Sequence, residues 1–343
     1  MIEVDLVSRE SNGVCAIIAA RNAAQTIGRA VASALVQPEV VEVVVVDDGS
    51  DDDTGSAALG ADDGTGRLNV LRLDTNRGPA FARNHAIANS AAPLIAILDA
   101  DDFFLRGRFA PLLATDDWDL VADNIVFIDA AIATDGREFQ VRPFEPNPRY
   151  LDFAAFIEGN ISRRGHQRGE IGFLKPVMRR AFLQRHGIRY REELRLGEDY
   201  ELYARALANG ARYRVIQDCG YAAVVRPDSL SGQHRTIDLK RLYEADRLIL
   251  KMPGLSAEAI AALRRHERQT RDRFELRDFL DAKARAGLGG AALHALLRPA
   301  AWPAIIGGVA GDKVEALRRR GPGVANSGPQ GLRYLMADDG AQK

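Results

Sequence analysis

Leu94-Ile95-Ala96-Ile97-Leu98-Asp99-Ala100-Asp101-Asp102 is the stretch that decides the fold. Five consecutive apolar residues between Pro93 and a carboxylate read as a fully buried strand, the kind found at the centre of a parallel sheet. Its end is where chemistry is expected, because ligands of open α/β sheets bind beyond the carboxyl ends of the strands. Three carboxylates in four positions repel one another unless a cation or hydrogen-bond donors offset them. A divalent metal is the economical partner. An acidic turn explains the same triplet, because Asp also favours turns.

The flanking sequence repeats the theme. Val14 to Ala20 is a short apolar run ending at Arg21-Asn22, and the spacing of Ile27, Ala30, Val31, Ala34 and Leu35 predicts a helix with Thr26 as its cap. Val40 to Val46 is a second buried strand, again ending in acid at Asp47-Asp48-Gly49-Ser50. Leu68 to Leu73 alternates as a strand, and Gly78-Pro79 opens a helix through Phe81, His85 and Asn89. Alternation of strand and helix calls for a parallel sheet covered by helices.

Further on, Asp119 to Asp129 reads as a strand, Pro143 to Pro148 as a break, and Phe153 to Gly172 as a mobile basic loop. A patterned helix follows Gly197-Glu198-Asp199 and stops at Asn209-Gly210. Tyr213 to Ile216 and Tyr221 to Val225 read as two strands. The expected organisation is an α/β domain over 1–236, with a nucleotide-binding half at about 14–129 and an acceptor-binding half at about 130–236. A helical extension over 237–320 and a flexible tail over 321–343 complete it.

Composition excludes several classes. The 343 residues carry a net charge of −1, which gives no electrostatic case for nucleic acid. Seven Asp and no base lie between Asp47 and Asp63, whereas arginines gather at 163–168 and in the last hundred residues. Two distant cysteines, Cys15 and Cys219, suit a reducing cytoplasm as small core residues. Met1 to Glu10 lacks the basic start and apolar core of a signal peptide. The apolar stretch from Gly289 to Gly311 is interrupted by His294, Arg298, Pro299 and Pro303, which argues against a membrane span.

Five ordered motifs carry a resemblance. They are Ala16 to Asn22, then Val45-Val46-Asp47-Asp48-Gly49-Ser50 with Thr54, then Asn76-Arg77-Gly78 with Ala82-Arg83-Asn84, then Leu98 to Asp102, then Gly197-Glu198-Asp199 with Arg205. This pattern resembles the inverting family 2 glycosyltransferases of the GT-A fold: a Rossmann-like, mostly parallel mixed sheet flanked by helices. Gly172 to Pro176, the Glu-Asp helix and Ser229 to Gly232 look most like bacterial exopolysaccharide glucosyltransferases of the succinoglycan type.

The resemblance implies a UDP-sugar donor and a saccharide acceptor, carried on a lipid diphosphate. Ala19, Ala20, Arg21, Asp48, Arg83, Asp99 and Ala100 would line the nucleotide sugar, Asp48 accepting the uracil N–H and Asp99 facing the ribose. Mg²⁺ or Mn²⁺ would neutralise the departing diphosphate, held by Asp101, with Asp102 and His234 as further candidates. Asp199 would be the base that takes the acceptor proton, with Glu198 supporting it, and a helix N-terminus favours an ionised acid there. A capping turn explains Asp47 to Ser50 in isolation, and a surface ion pair explains Arg83.

The pattern departs at Ala19-Ala20-Arg21-Asn22, where the family commonly has proline and an aromatic residue; Arg21 could substitute by planar stacking or by contacting phosphate. The Gln-x-x-Arg-Trp signature of processive synthases is absent, which implies single additions. Arg163, Arg164, His166 and Lys175 are candidate acceptor or phosphate contacts on a basic segment, and a solvated loop reads equally well. The Arg264 to Arg285 helix and the apolar Ala291 to Val309 stretch could lie peripherally on the inner membrane or form a homodimer interface. A sugar-nucleotide pyrophosphorylase is the rival enzyme, lacking here its Gly-rich phosphate loop. A non-catalytic nucleotide-sugar-binding protein is the rival from another class.

Overall fold

A computed structural model describes residues 12–134, 140–144, 147–162, 170–225, 234–308 and 332–336. Two compact units emerge, one of residues 1–229 with 332–343, the other of residues 230–331.

The first unit is built on a ten-stranded mixed sheet. In chain order its elements begin β1 (Val14–Ala20), α1 (Ile27–Leu35), β2 (Val40–Asp47), α2 (Thr54–Leu59), β3 (Leu68–Arg72), α3 (Pro79–Ala88) and β4 (Leu94–Asp99). They continue β5 (Phe103–Phe104), α4 (Phe109–Leu112), β6 (Leu120–Asp129), α5 (Ala130–Thr134), β7 (Arg149–Leu151), α6 (Phe153–Glu158), β8 (Val177–Arg179), α7 (Arg180–Arg185), α8 (Glu198–Ala208) and β9 (Tyr213–Val225). Strand order is β3-β2-β1-β4-β8-β6-β9-β5, with β7 on β9 and β10 (Arg333–Tyr334) on β6. The long ladders β3-β2-β1-β4 and β6-β9 run parallel, while the short strand β8 joins β4 and β6 antiparallel.

The reason for this arrangement is legible residue by residue. Leu94 to Leu98 are all buried because β4 is paired on both edges and covered on both faces. The five residues that predict α1 are the five it buries. Register then fixes the functional end: Ala20 pairs with Asp47 and Ala19 with Asp99, so the acidic ends of β2 and β4 flank the end of β1.

Four expectations change. Thr26 makes no side-chain cap bond, its hydroxyl donating instead to the Ala23 carbonyl. Within the predicted loop of residues 153–172, Phe153–Glu158 is a helix, capped by Asp152, whose carboxylate accepts from Ala155 N at 2.7 Å; Phe156 and Ile157 bury its inner face. The two strands expected at 213–225 are one, and β9 bulges between them, its extra residues shifting the register against β6 around Asn124. Leu332 to Met336, assigned to the tail, return to the first unit, where Arg333–Tyr334 pair with Val126 and Phe127.

The second unit contains α9 (Thr236–Ile249) and α10 (Ala257–Leu297), with a 3₁₀ turn at Pro299–Ala301. The α10 path breaks at Ala286 and Gly287, where Gly287 has φ 65°. A buried pair, Asp246 and His266 at 2.8 Å, links the two helices. Among the described residues no helix is long and apolar enough to cross a membrane.

Candidate active site

At the end of β2 the acidic motif is largely scaffolding. Asp47, fully buried, accepts from Ser50 N at 3.0 Å and pairs with Arg72 at 2.9 Å. Ser50 and Thr54 hydroxyls accept from the Asn22 and Ala23 amides, so this turn holds the loop leaving β1. Asp48 accepts from Arg77 N at 2.6 Å and Gly78 N at 2.8 Å, one bond per oxygen, and so fixes the approach to α3. Gly49 is obligatory between them: its φ is 64° and a Cβ there would lie 2.7 Å from the Thr75 carbonyl carbon. Ala19 is half-buried, Ala20 buried and Arg21 exposed. With its amide turned to suit its neighbours, Asn76 accepts from Arg21 Nη1 at 2.6 Å, which tethers that guanidinium at the rim.

At the end of β4 the three acids separate into different roles. Asp102 turns inward, where Tyr221 OH donates to one carboxylate oxygen at 2.8 Å and Val224 N to the other at 2.9 Å. Burial, then the charges of Asp99 and Asp101, push its carboxyl well above the usual range. Asp102 is therefore a clamp onto β9, which corrects its reading as a metal candidate, because both carboxylate oxygens are taken. Asp101 stays half-exposed, with its backbone carbonyl accepting from Arg29 Nη2 at 3.0 Å. Ala100 is buried between them.

Asp99 belongs to a buried ionic network. Arg83, from α3, donates through Nη2 to Asp99 Oδ1 at 2.8 Å and through Nη1 to Asp199 Oδ1 at 3.1 Å and Glu198 Oε1 at 3.0 Å. Lys175 completes it, its Nζ lying 2.9 Å from Asp99 Oδ2 and 2.7 Å from Asp199 Oδ2. Asp99 and Asp199 thus each give one oxygen to the guanidinium and the other to the ammonium. Burial opposes the ionised Asp99, but Lys175 and then Arg83 outweigh it and hold its carboxyl well below the usual range. Burial pushes the Glu198 carboxyl up, with Arg83 opposing. This arrangement corrects the surface-pair reading of Arg83, whose side chain is 6% exposed.

Local sequence explains the convergence. Pro79 starts α3, so Arg83 and Asn84 follow one turn in. Asn84 exchanges hydrogen bonds with the Tyr190 backbone, both at 2.9 Å, and Tyr190 OH donates to Asp199 Oδ1 at 3.1 Å. Burial, then Asp199, push the Tyr190 phenol up, keeping it a neutral donor. Gly197 begins α8 with φ 70°, and the three acids of its first turn face the positive end of the helix. Gly172 lets the segment bearing Lys175 press on α8, since a Cβ there would sit 3.1 Å from that of Tyr200.

Sequence reasoning missed Tyr190, Arg108 and Asp123. A signal existed for the last: Asp123 interrupts the apolar strand β6, and a charge in a buried strand needs a partner. Arg163, Arg164 and His166 lie outside the described residues, as does Ser229 to Gly232. His234 belongs to the second unit, where its carbonyl accepts from Arg277 at 3.5 Å, a contact that does not bear on metal ligation.

Among the described residues no three His, Cys, Asp or Glu side chains converge into a closed metal cage. The donors at the β4 end are hard carboxylate oxygens, and Mg²⁺ typically uses one or two of these together with substrate phosphates. That donor set fits a metal that arrives with a diphosphate.

Comparison with known proteins shows the family. The model of "Glycosyl transferase family 2" matches residues 15–184. The chain is 64% identical over 325 residues to succinoglycan biosynthesis protein ExoU of Rhizobium meliloti (strain 1021), covering 94% of this chain and 95% of the relative. It is 35% identical over 292 residues to ExoO of the same organism, a succinoglycan biosynthesis protein, covering 82% and 81%. Its fold matches S. aureus TarS 1-349 with a TM-score of 0.57 at 18% identity over 95% of this chain and all of that one. The complex of TarS 1-349 with UDP-GlcNAc gives 0.56 at 22% identity over 79% and 74%. This chain is a glycosyltransferase with a GT-A-like fold, and it belongs to glycosyltransferase family 2.

Proposed function

We propose that the enzyme moves one hexose, glucose by its resemblance to the succinoglycan enzymes, from a UDP-sugar to a saccharide acceptor on a lipid diphosphate, inverting the anomeric configuration. The observation that carries this reading is the joining of Asp99, at the end of β4, to Asp199, at the start of α8, through Arg83 and Lys175. A donor bound at the strand ends then has a buried carboxylate beside it to serve as base. The 64% identity to ExoU supports a place in succinoglycan synthesis, and the UDP-GlcNAc complex of TarS supports a UDP-sugar donor.

In this reading Ala19 to Arg21 border the base and Asp99 faces the ribose, while Asp48 keeps the loop before α3 in place. Asp199 takes the proton from the acceptor hydroxyl as its oxygen bonds to the anomeric carbon, and the bonding pair leaves with UDP. Glu198 orients Arg83. Asp101 would hold Mg²⁺ or Mn²⁺, which supplies Lewis-acid stabilisation of the departing diphosphate.

Contact with an anionic membrane is part of the proposal. Leu288, Leu293, Leu296, Leu297, Trp302 and Ile306 are exposed, and residues 282–308 contain Lys283, Arg285, His294 and Arg298 but no acid. Asp278 already pairs with His294 and Arg298, so a homodimer contact would suit the same apolar face. Pelleting with phosphatidylglycerol vesicles, beside mass measurement by light scattering, separates the two.

The function is tested by screening UDP-, GDP- and dTDP-sugars with Mg²⁺ or Mn²⁺ and reading the product by NMR. UDP-sugar turnover with inversion is expected. Retention of configuration, or preference for another nucleotide, refutes the assignment.

A further inference from the structure

We propose that Lys175 is a positioning residue for sugar transfer: it holds Asp199 in register with Asp99, and is itself held by a second buried ion pair, Arg108 with Asp123. The inference rests on the reading of Asp199 as the base.

Lys175 follows the 3₁₀ turn at Ile171–Phe173, and the segment that carries it needs an anchor. Arg108 supplies that anchor, donating through Nη2 to the Lys175 carbonyl at 2.6 Å. The same nitrogen pairs with Asp123 Oδ1 at 2.8 Å, and Asp123 Oδ2 accepts from Gly220 N at 2.6 Å. Gly220 is required there, because a Cβ would lie 2.2 Å from Arg108 Cγ. A continuous chain of buried contacts therefore runs from β9 through Arg108 to the Lys175 backbone, and from Lys175 Nζ to both carboxylates.

A buried ion pair kept for stability alone is replaceable by apolar residues at little cost. This network has a feature that stability does not require. Its five groups, Arg83, Lys175, Asp99, Glu198 and Asp199, sum formally to −1, so one proton restores neutrality. In the reaction that proton comes from the acceptor hydroxyl and goes to Asp199. Lys175 gives up no proton and keeps Asp99 as its partner. Its ammonium is held charged, burial being outweighed by Asp199 and then Asp99, so it acts as a fixed charge throughout.

The test compares wild type, Lys175→Met and Lys175→Arg, with UDP-glucose and Mn²⁺ as the probe. UDP release is measured with water as acceptor, beside UDP binding by calorimetry and thermal melting. We expect Lys175→Met to bind UDP as wild type and keep KM within about twofold, while kcat falls about 100-fold. Lys175→Arg, which keeps the charge, should recover at least about tenfold of that loss. Unchanged kcat in Lys175→Met overturns the proposal, as does an Arg variant no better than Met. A fall in UDP affinity with kcat intact overturns it too, making Lys175 a phosphate contact.

If Lys175→Met does not fold, Gly220→Ala decides, because it presses on Arg108 and leaves the ammonium in place. A drop in kcat at constant KM supports the proposal and wild-type kcat overturns it. A wild-type enzyme that neither binds UDP nor releases it removes the UDP-sugar reading of the site, and Lys175's role with it. That pattern differs from an active enzyme indifferent to residue 175.

Discussion

Replacing Arg83 by methionine should destabilise the first unit strongly, and by an amount that depends on pH. Arg83 contacts Asp99, Glu198 and Asp199 at 2.8 to 3.1 Å with its side chain 6% exposed. Methionine fills much of the volume but leaves buried Asp199 and the half-buried Asp99 and Glu198 facing one ammonium. Removing one partner of a buried ion pair costs about 3–5 kcal/mol, because the remaining charge stays desolvated. With a urea slope of about 2 kcal/mol/M, the unfolding midpoint moves down by about 1.5–2.5 M. Trp118 reports on the first unit, and a Trp302→Phe background removes the tryptophan of the second.

The pH dependence fixes the cause. In the native protein burial opposes ionised Asp99, while Lys175 and Arg83 outweigh it and hold its carboxyl low. Its contribution is thus complete above about pH 5 and is lost only as pH falls through the folded value. In the variant Glu198, whose carboxyl burial already pushes up, loses the Arg83 charge that opposes that shift, so it binds a proton more readily when folded than when unfolded. Stability is then retained at low pH and lost as pH rises through the raised value, so the deficit at pH 8 exceeds that at pH 5. A loss below about 1 kcal/mol, or equal losses at both pH values, would refute the ionic account of the network.

Three further outcomes are expected. Asp199→Asn should lower turnover about 10²- to 10⁴-fold while UDP affinity measured by calorimetry stays within about twofold. Gly49→Ala should cost more than the about 1–2 kcal/mol of a left-handed residue, since its Cβ meets backbone at 2.7 Å, whereas Gly64→Ala, with φ 74° and nothing within 4 Å, should cost only that amount in melting experiments. Burial, with Glu42 beside Cys15 and Asp123 beside Cys219, pushes both thiols up to about 12. Neither should react with a disulfide reagent at pH 8 until guanidinium unfolds the chain, and rapid native labelling would contradict that burial.

The sequence by itself determined the βα alternation of the first hundred residues, the buried strand at 94–98 and the five ordered motifs that mark the family. These are local properties: periodicity, strand-end acids and glycine-proline punctuation are written in neighbouring residues. Asp99, Arg83, Glu198 and Asp199 were each singled out that way, but their common network was not visible, because α3, β4 and α8 meet only in the fold. Tertiary structure also decided between chemically identical neighbours. Asp101 and Asp102 differ by one position, yet the turn aims one carboxylate at Tyr221 and Val224 and leaves the other half-exposed. Lys175 read as a loop cation until burial beside two carboxylates gave it partners. Such roles depend on desolvation and on distances of about 3 Å between residues up to 122 positions apart, neither of which a linear pattern encodes.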